Sequence, residues 1–197
     1  MSKLLRDVRV QNVELEVREG TEETPAKIKG YALKFNRASE DLGFIEYIGE
    51  RSLDATDMST TVALLNHDSN YVLGRAGKNL TLNVDKVGLY FEIEPNNTSY
   101  TRDLMENMRT GLIDKCSFAF TVAENGDEWS ERSDGEYVRT VTNIDRLYDV
   151  SIVTTPAYND TEAILSARSV NSFQEQQRDL VAERQREVEL LDMDLEL

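Results

Sequence analysis

Apolar residues recur at every second position, in short runs separated by turn formers, from Val8 to Val153. A period of two sends successive side chains to opposite faces, so one face can be buried while the other stays solvated. That pattern excludes a helical bundle and predicts a sheet protein. "VRVQNVELEV" carries Val8 and Val10, then Val13, Leu15 and Val17, two alternating runs offset by one residue. The offset predicts a strand broken by a bulge or turn. "GYALKFN" alternates Tyr31, Leu33 and Phe35, and "TVALLNHD" reads as a third strand with Ala63, Leu65 and His67 on one face. "NLTLNVDKVGLYFEIE" reads as a hairpin: Leu80, Leu82 and Val84 run out, Asp85 to Gly88 turn, and Leu89, Phe91 and Ile93 return. "DKCSFAFTV", "EYVRTVTNI" and "RLYDVSIVTTPA" are further strands, with Asn125-Gly126 and Asp134-Gly135 as turn signals and Pro156 as a stop.

Helical spacing appears where the alternation stops. In "NTSYTRDLMENMRTG", Tyr100, Leu104, Met105 and Met108 follow a cap candidate at Thr98 or Ser99, and Gly111 ends the pattern. "NDTEAILSARS" predicts a short helix capped by Asp160 or Thr161. From Ser169 onward the chain has no Gly or Pro and is rich in Glu, Gln and Arg, with a partial apolar stripe of Val170, Phe173, Leu180, Val181, Val188 and Leu191. This predicts a charged amphipathic helix, or a tail that becomes helical on a partner. The expected organisation is a sheet domain over 1–168 and an acidic helical tail over 169–197. The order of elements predicts a mainly β fold, an antiparallel barrel-like core with flanking helices.

Charge narrows the partners. Thirty-seven acidic residues against 22 basic ones give a net charge of −15. Such a surface repels phosphate backbones and anionic membranes, which argues against nucleic acid and membrane partners and suits a basic protein. No stretch approaches the ~18 consecutive apolar residues of a membrane span, and the N-terminus has no signal-peptide core, so a cytosolic location is expected. Cys116 and His67 are each the sole residue of their type. That rules out an intramolecular disulfide, makes zinc a poor fit, and leaves no loop signature for calcium or magnesium; no metal or cofactor is expected.

His67 sits in "LLNHDSN". A lone imidazole does chemistry only with a nucleophile to activate and a third group to orient it; otherwise it is a surface residue or a satisfied core donor. The strand "KCSFAFTV" offers the nucleophile. Cys116, Phe118, Phe120 and Val122 share one face, while Ser117, Ala119 and Thr121 share the other, where small side chains would leave room for a substrate chain. Ser117 is the candidate and Cys116 its rival. Neighbouring strand residues oppose each other, so only one can meet His67; Cys116 falls with the phenylalanines and reads as buried filler. For the third group, Asp149 is an acid inside an otherwise apolar strand, costly to bury without a partner. Asp68 and Asp145 are alternatives. Donors for a developing oxyanion would come from the backbone near Arg75 in "LGRAG", with Gly74 and Gly77, or from the Thr154–Thr155 turn; Arg75 reads equally well as a surface ion-pair residue. The chain lacks a G-x-S-x-G elbow, which argues against a doubly wound hydrolase.

Taken together, these segments resemble the prohead maturation proteases of tailed bacteriophages, over residues 28–165. The resemblance is carried by "GYALKFN"; by "EYIGERSL", similar to the family's E-x-x-x-x-G/R-x-F/L stretch; and by "LLNHDSNYVLGR", similar to its histidine motif. It continues through "VGLYFEIE", then "MRTGLIDKCSFAF", similar to the serine strand, and "LYDVSIVTTPAY", similar to the closing L-x-E-V-S-x-V-x-x-P-A. The resemblance implies a serine endopeptidase with a fold like herpesvirus assemblin, an antiparallel β-barrel flanked by helices. His67 would be the general base and Ser117 the nucleophile. The family commonly has Glu where this chain has Asp149, so the reach of the shorter side chain to His67 is a question for the structure. The resemblance further implies cleavage of scaffold protein, or of the scaffolding segment of the major capsid protein, inside the immature capsid in the host cytoplasm. It also implies self-cleavage, a dimer by analogy with assemblin, and the portal as a further partner. The competing expectation is a noncatalytic capsid assembly or scaffolding protein that keeps the fold and acts through its tail.

Overall fold

The computed structural model describes residues 6–12, 15–18, 20–21, 25–154, 171, 173–175 and 177–187. Its strands are β1 (Asp7–Asn12), β2 (Leu15–Arg18), β3 (Lys27–Lys34), β4 (Ile45–Ile48), β5 (Val62–Leu65), β6 (Asp68–Arg75), β7 (Leu80–Val84), β8 (Gly88–Ile93), β9 (Lys115–Val122), β10 (Asp127–Glu131), β11 (Tyr137–Val141) and β12 (Ile144–Val153). One helix, α1 (Ser99–Arg109), separates β8 from β9. Thr98 caps it, its side chain accepting the Thr101 N–H, and Gly111 at φ 74° closes its far end.

The strands form three sheets: β1-β9-β12-β5-β6, β10-β11-β4 and β2-β3-β8-β7. The mainly β expectation holds, but the sheets do not close into a barrel. Nor is the pairing wholly antiparallel, since β12 runs parallel to β5 and β11 parallel to β4. "VRVQNVELEV" is not one interrupted strand: β1 enters the five-stranded sheet and β2 the four-stranded one. Where β1 approaches β3, the contact is made by a side chain. Gln11 accepts the Lys34 N–H at 2.6 Å and donates to the Lys34 carbonyl at 3.4 Å. The Gln11 amide thus takes the place of a ladder at this point, and the two sheets meet without merging.

The core lies between the sheets. Phe118, Phe120, Leu147, Ile144, Phe91, Leu33, Leu89 and Ile28 are among its fully buried side chains. The hairpin β7–β8 and its turn are as the alternation predicts. A Cβ at Gly88 would lie 2.0 Å from the Leu33 carbonyl oxygen, so a glycine is required where β8 meets β3. A second polar element is buried beside the core. Glu46 on β4 receives Arg9 Nε at 2.7 Å, Arg9 Nη2 at 3.1 Å and Arg139 Nη1 at 2.9 Å. Asp7 and Asp127 add two further carboxylates to this cluster, which ties β1 to β4, β10 and β11.

Of the tail, residues 173–175 and 177–187 are helical. Phe173 stacks on Trp129 with ring centroids 5.3 Å apart and meets Tyr137 edge-on, so the start of this segment rests on the β10–β11 hairpin. The short helix expected over "NDTEAILSARS", and the boundary between 168 and 169, lie outside the described residues. Among the described residues no helix is long and apolar enough to cross a membrane.

Candidate active site

The ladder brings two distant segments of the chain side by side. On β9 and β12, Ser117 lies opposite Ser151 and Ala119 opposite Asp149, so all four share one face of the sheet. A register shift between Leu147 and Asp149 leaves Tyr148 out of the pairing and sets that face for the last five residues of β12. The backbone, rather than any local motif, therefore presents Ser117 and Asp149 together.

His67 arrives from a different element. The alternation of "TVALLNHD" predicts a strand through His67, but β5 ends at Leu65. Asn66 and His67 have φ of 53° and 56°, two consecutive left-handed residues between the paired Leu65 and Asp68. That is the requirement of a type I′ hairpin turn, and Asn is well suited to its first position. The turn is pinned to β12: the Asn66 N–H donates to the Ile152 carbonyl at 2.9 Å, and Asn66 Oδ1 accepts the Thr154 N–H at 3.0 Å. Strand parity thus has no bearing on where His67 points; the turn does the aiming.

The ring meets both partners. His67 Nδ1 lies 2.6 Å from Asp149 Oδ1, and Nε2 lies 2.6 Å from Ser117 Oγ. The carboxylate can only accept, so Nδ1 carries a proton, and neutral His67 presents the Nε2 lone pair to the Ser117 hydroxyl. The shorter side chain of aspartate does reach the imidazole. The two alternative acids do not take that place. Asp68 accepts the N–H and the side-chain amide of Asn70, both at 2.8 Å, and Asp145 is exposed, with Thr121 Oγ1 at 3.5 Å.

Ser117 is fully buried and Asp149 nearly so, while the His67 side chain keeps 20% of its surface exposed. The small-residue face of β9 is accordingly not an open groove: Ala119 and Thr121 are buried too. Its small side chains make room for the imidazole and carboxylate of neighbouring elements. Cys116 points to the opposite face and is fully buried, and burial pushes its thiol up to about 12, far from the thiolate a nucleophile needs.

Two of the expected oxyanion donors are otherwise engaged. The Arg75 N–H donates to Asn79 Oδ1 at 3.1 Å and the Thr154 N–H to Asn66 Oδ1; Thr155 lies outside the described residues. The sequence reading missed two contacts. Ser117 Oγ–H also has the Arg9 carbonyl within reach at 3.0 Å, and Ser151 Oγ–H donates to Asp149 Oδ1 at 2.7 Å. The first is a backbone acceptor from β1 and leaves no trace in residue type. The second had a signal: Ser151 follows Asp149 by two residues on one strand, which places both on one face.

Comparison with known proteins bears on the fold and the family. In a search of solved structures, the chain is similar to the capsid assembly protease gp21 of bacteriophage T4, with a TM-score of 0.52 and 11% identity, over 77% of this chain and 98% of that one. At that identity the likeness speaks to the fold alone. No curated protein matches in sequence. The family model described as caudovirus prohead serine protease matches residues 11–176, the greater part of the chain. The chain belongs to the caudovirus prohead serine protease family.

Proposed function

We propose that this protein is a serine endopeptidase of capsid maturation, and that it cuts scaffold protein or the scaffolding segment of the major capsid protein. The observation that carries this reading is the unbroken hydrogen-bonded line Ser117–His67–Asp149, built on the only imidazole in the chain. Ser117 Oγ attacks the scissile carbonyl carbon as His67 Nε2 takes its proton. The carbonyl π pair moves to oxygen and gives a tetrahedral intermediate. Its collapse breaks the C–N bond, and the proton on Nε2 passes to the leaving amine. Water then repeats the sequence on the acyl-enzyme and frees Ser117. Asp149 holds the tautomer throughout and balances the imidazolium. His67 must be neutral to take that proton. The scissile peptide meets the trio at the exposed edge of His67.

Family membership favours action inside the immature capsid in the host cytoplasm, with capsid, scaffold and portal as partners. Self-cleavage and dimerisation belong to the same reading. The tail over 169–197 serves as a capsid- or scaffold-binding segment or is trimmed away.

The test is intact-mass analysis of wild type and Ser117→Ala, each incubated with the cognate capsid or scaffold protein. Fragments from wild type alone are expected, and their masses give the cut sites. Fragments from both variants, or from neither with folded partner present, overturn the assignment; the second outcome turns attention to a scaffolding role for the tail.

A further inference from the structure

Asp149 Oδ1 accepts two hydrogen bonds, and only one comes from His67. The second donor is Ser151, at 2.7 Å on the same oxygen. Ser151 is fully buried, opposite Ser117 on β9 and beside Leu64 on β5. A carboxylate held at one point can swing about its Cβ–Cγ bond, because that torsion is broad. A second donor, rooted two residues along the same strand, opposes that swing by holding the same oxygen from another direction. The titratable groups against Asp149 are His67 from the β5–β6 turn and Cys116 from β9, whose thiol is held protonated and is raised further by the Asp149 charge.

We propose that Ser151 is a positioning residue: its hydroxyl holds Asp149 Oδ1 against His67 Nδ1–H, so that the ring presents Nε2 squarely to Ser117. The inference rests on the catalytic reading above. It makes Ser151 matter to turnover without touching substrate.

Three variants test it: Ser151→Ala, Ser151→Thr, which keeps the hydroxyl on a residue suited to a strand, and Ser151→Cys, which keeps the volume with a weak donor. With Ser151→Ala, kcat should fall about tenfold at constant KM, because the base is misplaced while substrate contacts are intact. Ser151→Thr should recover most of the loss. Ser151→Cys should reproduce it, and stands in should the alanine variant fail to fold. The second readout needs no substrate. His67 is the only histidine, so its Nδ1–H proton resonance is unambiguous; it should be sharp and downfield in wild type and Ser151→Thr and broadened in Ser151→Ala. A folded Ser151→Ala protein with wild-type kcat and an unchanged resonance overturns the proposal, even if its melting temperature drops. Absence of Ser117-dependent cleavage in wild type overturns the catalytic reading instead, and the resonance still reports whether Ser151 holds Asp149 to His67.

Discussion

Asp149→Asn separates charge from hydrogen bonding at the candidate site. Both donors, His67 Nδ1–H and Ser151 Oγ–H, fall on Oδ1. An asparagine seated with its carbonyl oxygen there keeps both bonds and loses only the negative charge. That charge matters when His67 takes the Ser117 proton and becomes an imidazolium. For charge centres ~4 Å apart and an effective dielectric constant of ~20, the attraction is about 4 kcal/mol. At 1.36 kcal/mol per factor of ten, kcat should fall roughly 10³-fold. An amide seated the other way round would place an NH₂ against Nδ1, force the wrong tautomer, and bring the loss to on the order of 10⁴. The assay is single-turnover cleavage of the capsid or scaffold substrate, followed by mass, with melting curves to establish folding. KM should hold, because Asp149 lies behind the imidazole. A folded Asp149→Asn protein within tenfold of wild-type kcat would refute the charge argument.

Further perturbations probe the surroundings. Iodoacetamide at pH 8 should leave the folded protein unmodified and Cys116→Ala should keep full activity; inactivation by alkylation of native Cys116 would reverse the choice of nucleophile. Because burial raises the Cys116 thiol from 9.0 to about 12, its contribution to stability is complete below pH 9 and lost as pH rises toward 12, so wild type should weaken across that range relative to Cys116→Ala. Glu46→Gln removes the nearer of the two carboxylates that the buried Arg9 and Arg139 guanidinium groups share and should cost about 3 kcal/mol, read from Trp129 fluorescence in denaturant; a loss below about 1 kcal/mol would contradict it. Asn66→Ala forces alanine into a left-handed turn position and removes the acceptor for the Thr154 N–H, at a cost of roughly 1–3 kcal/mol, whereas Asn66→Gly tolerates the positive φ and should be the more stable variant in thermal melts.

Much of the candidate site was legible because strand parity is a local property. "KCSFAFTV" assigns Cys116 and Ser117 to opposite faces whatever the strand pairs with, and the structure has them so, with Cys116 among buried apolar residues. An acid in the apolar run "LYDVSIV" demands a partner, and Asp149 has two donors. The same logic misled at "ALLNHD". Parity holds only while the backbone stays extended, and two left-handed residues end the strand before His67. It also misled on the small face of β9, since small side chains make room without specifying whether a substrate or a neighbouring side chain fills it.

By itself the sequence determined the mainly β class, the hairpin β7–β8, the helix α1, and a short list in which one imidazole stood beside two possible nucleophiles and three possible acids. Tertiary structure decided the rest. It split one apparent strand between two sheets, left those sheets open, and introduced two parallel pairings. It also chose Asp149 over Asp68 and Asp145 as the neighbour of His67. The physical reason is sequence separation. His67 meets Ser117 across 50 residues and Asp149 across 82, and such contacts depend on register, bulges and turn geometry that many distant residues settle together. A local pattern says which face a side chain takes, and only the assembled sheets say what waits there.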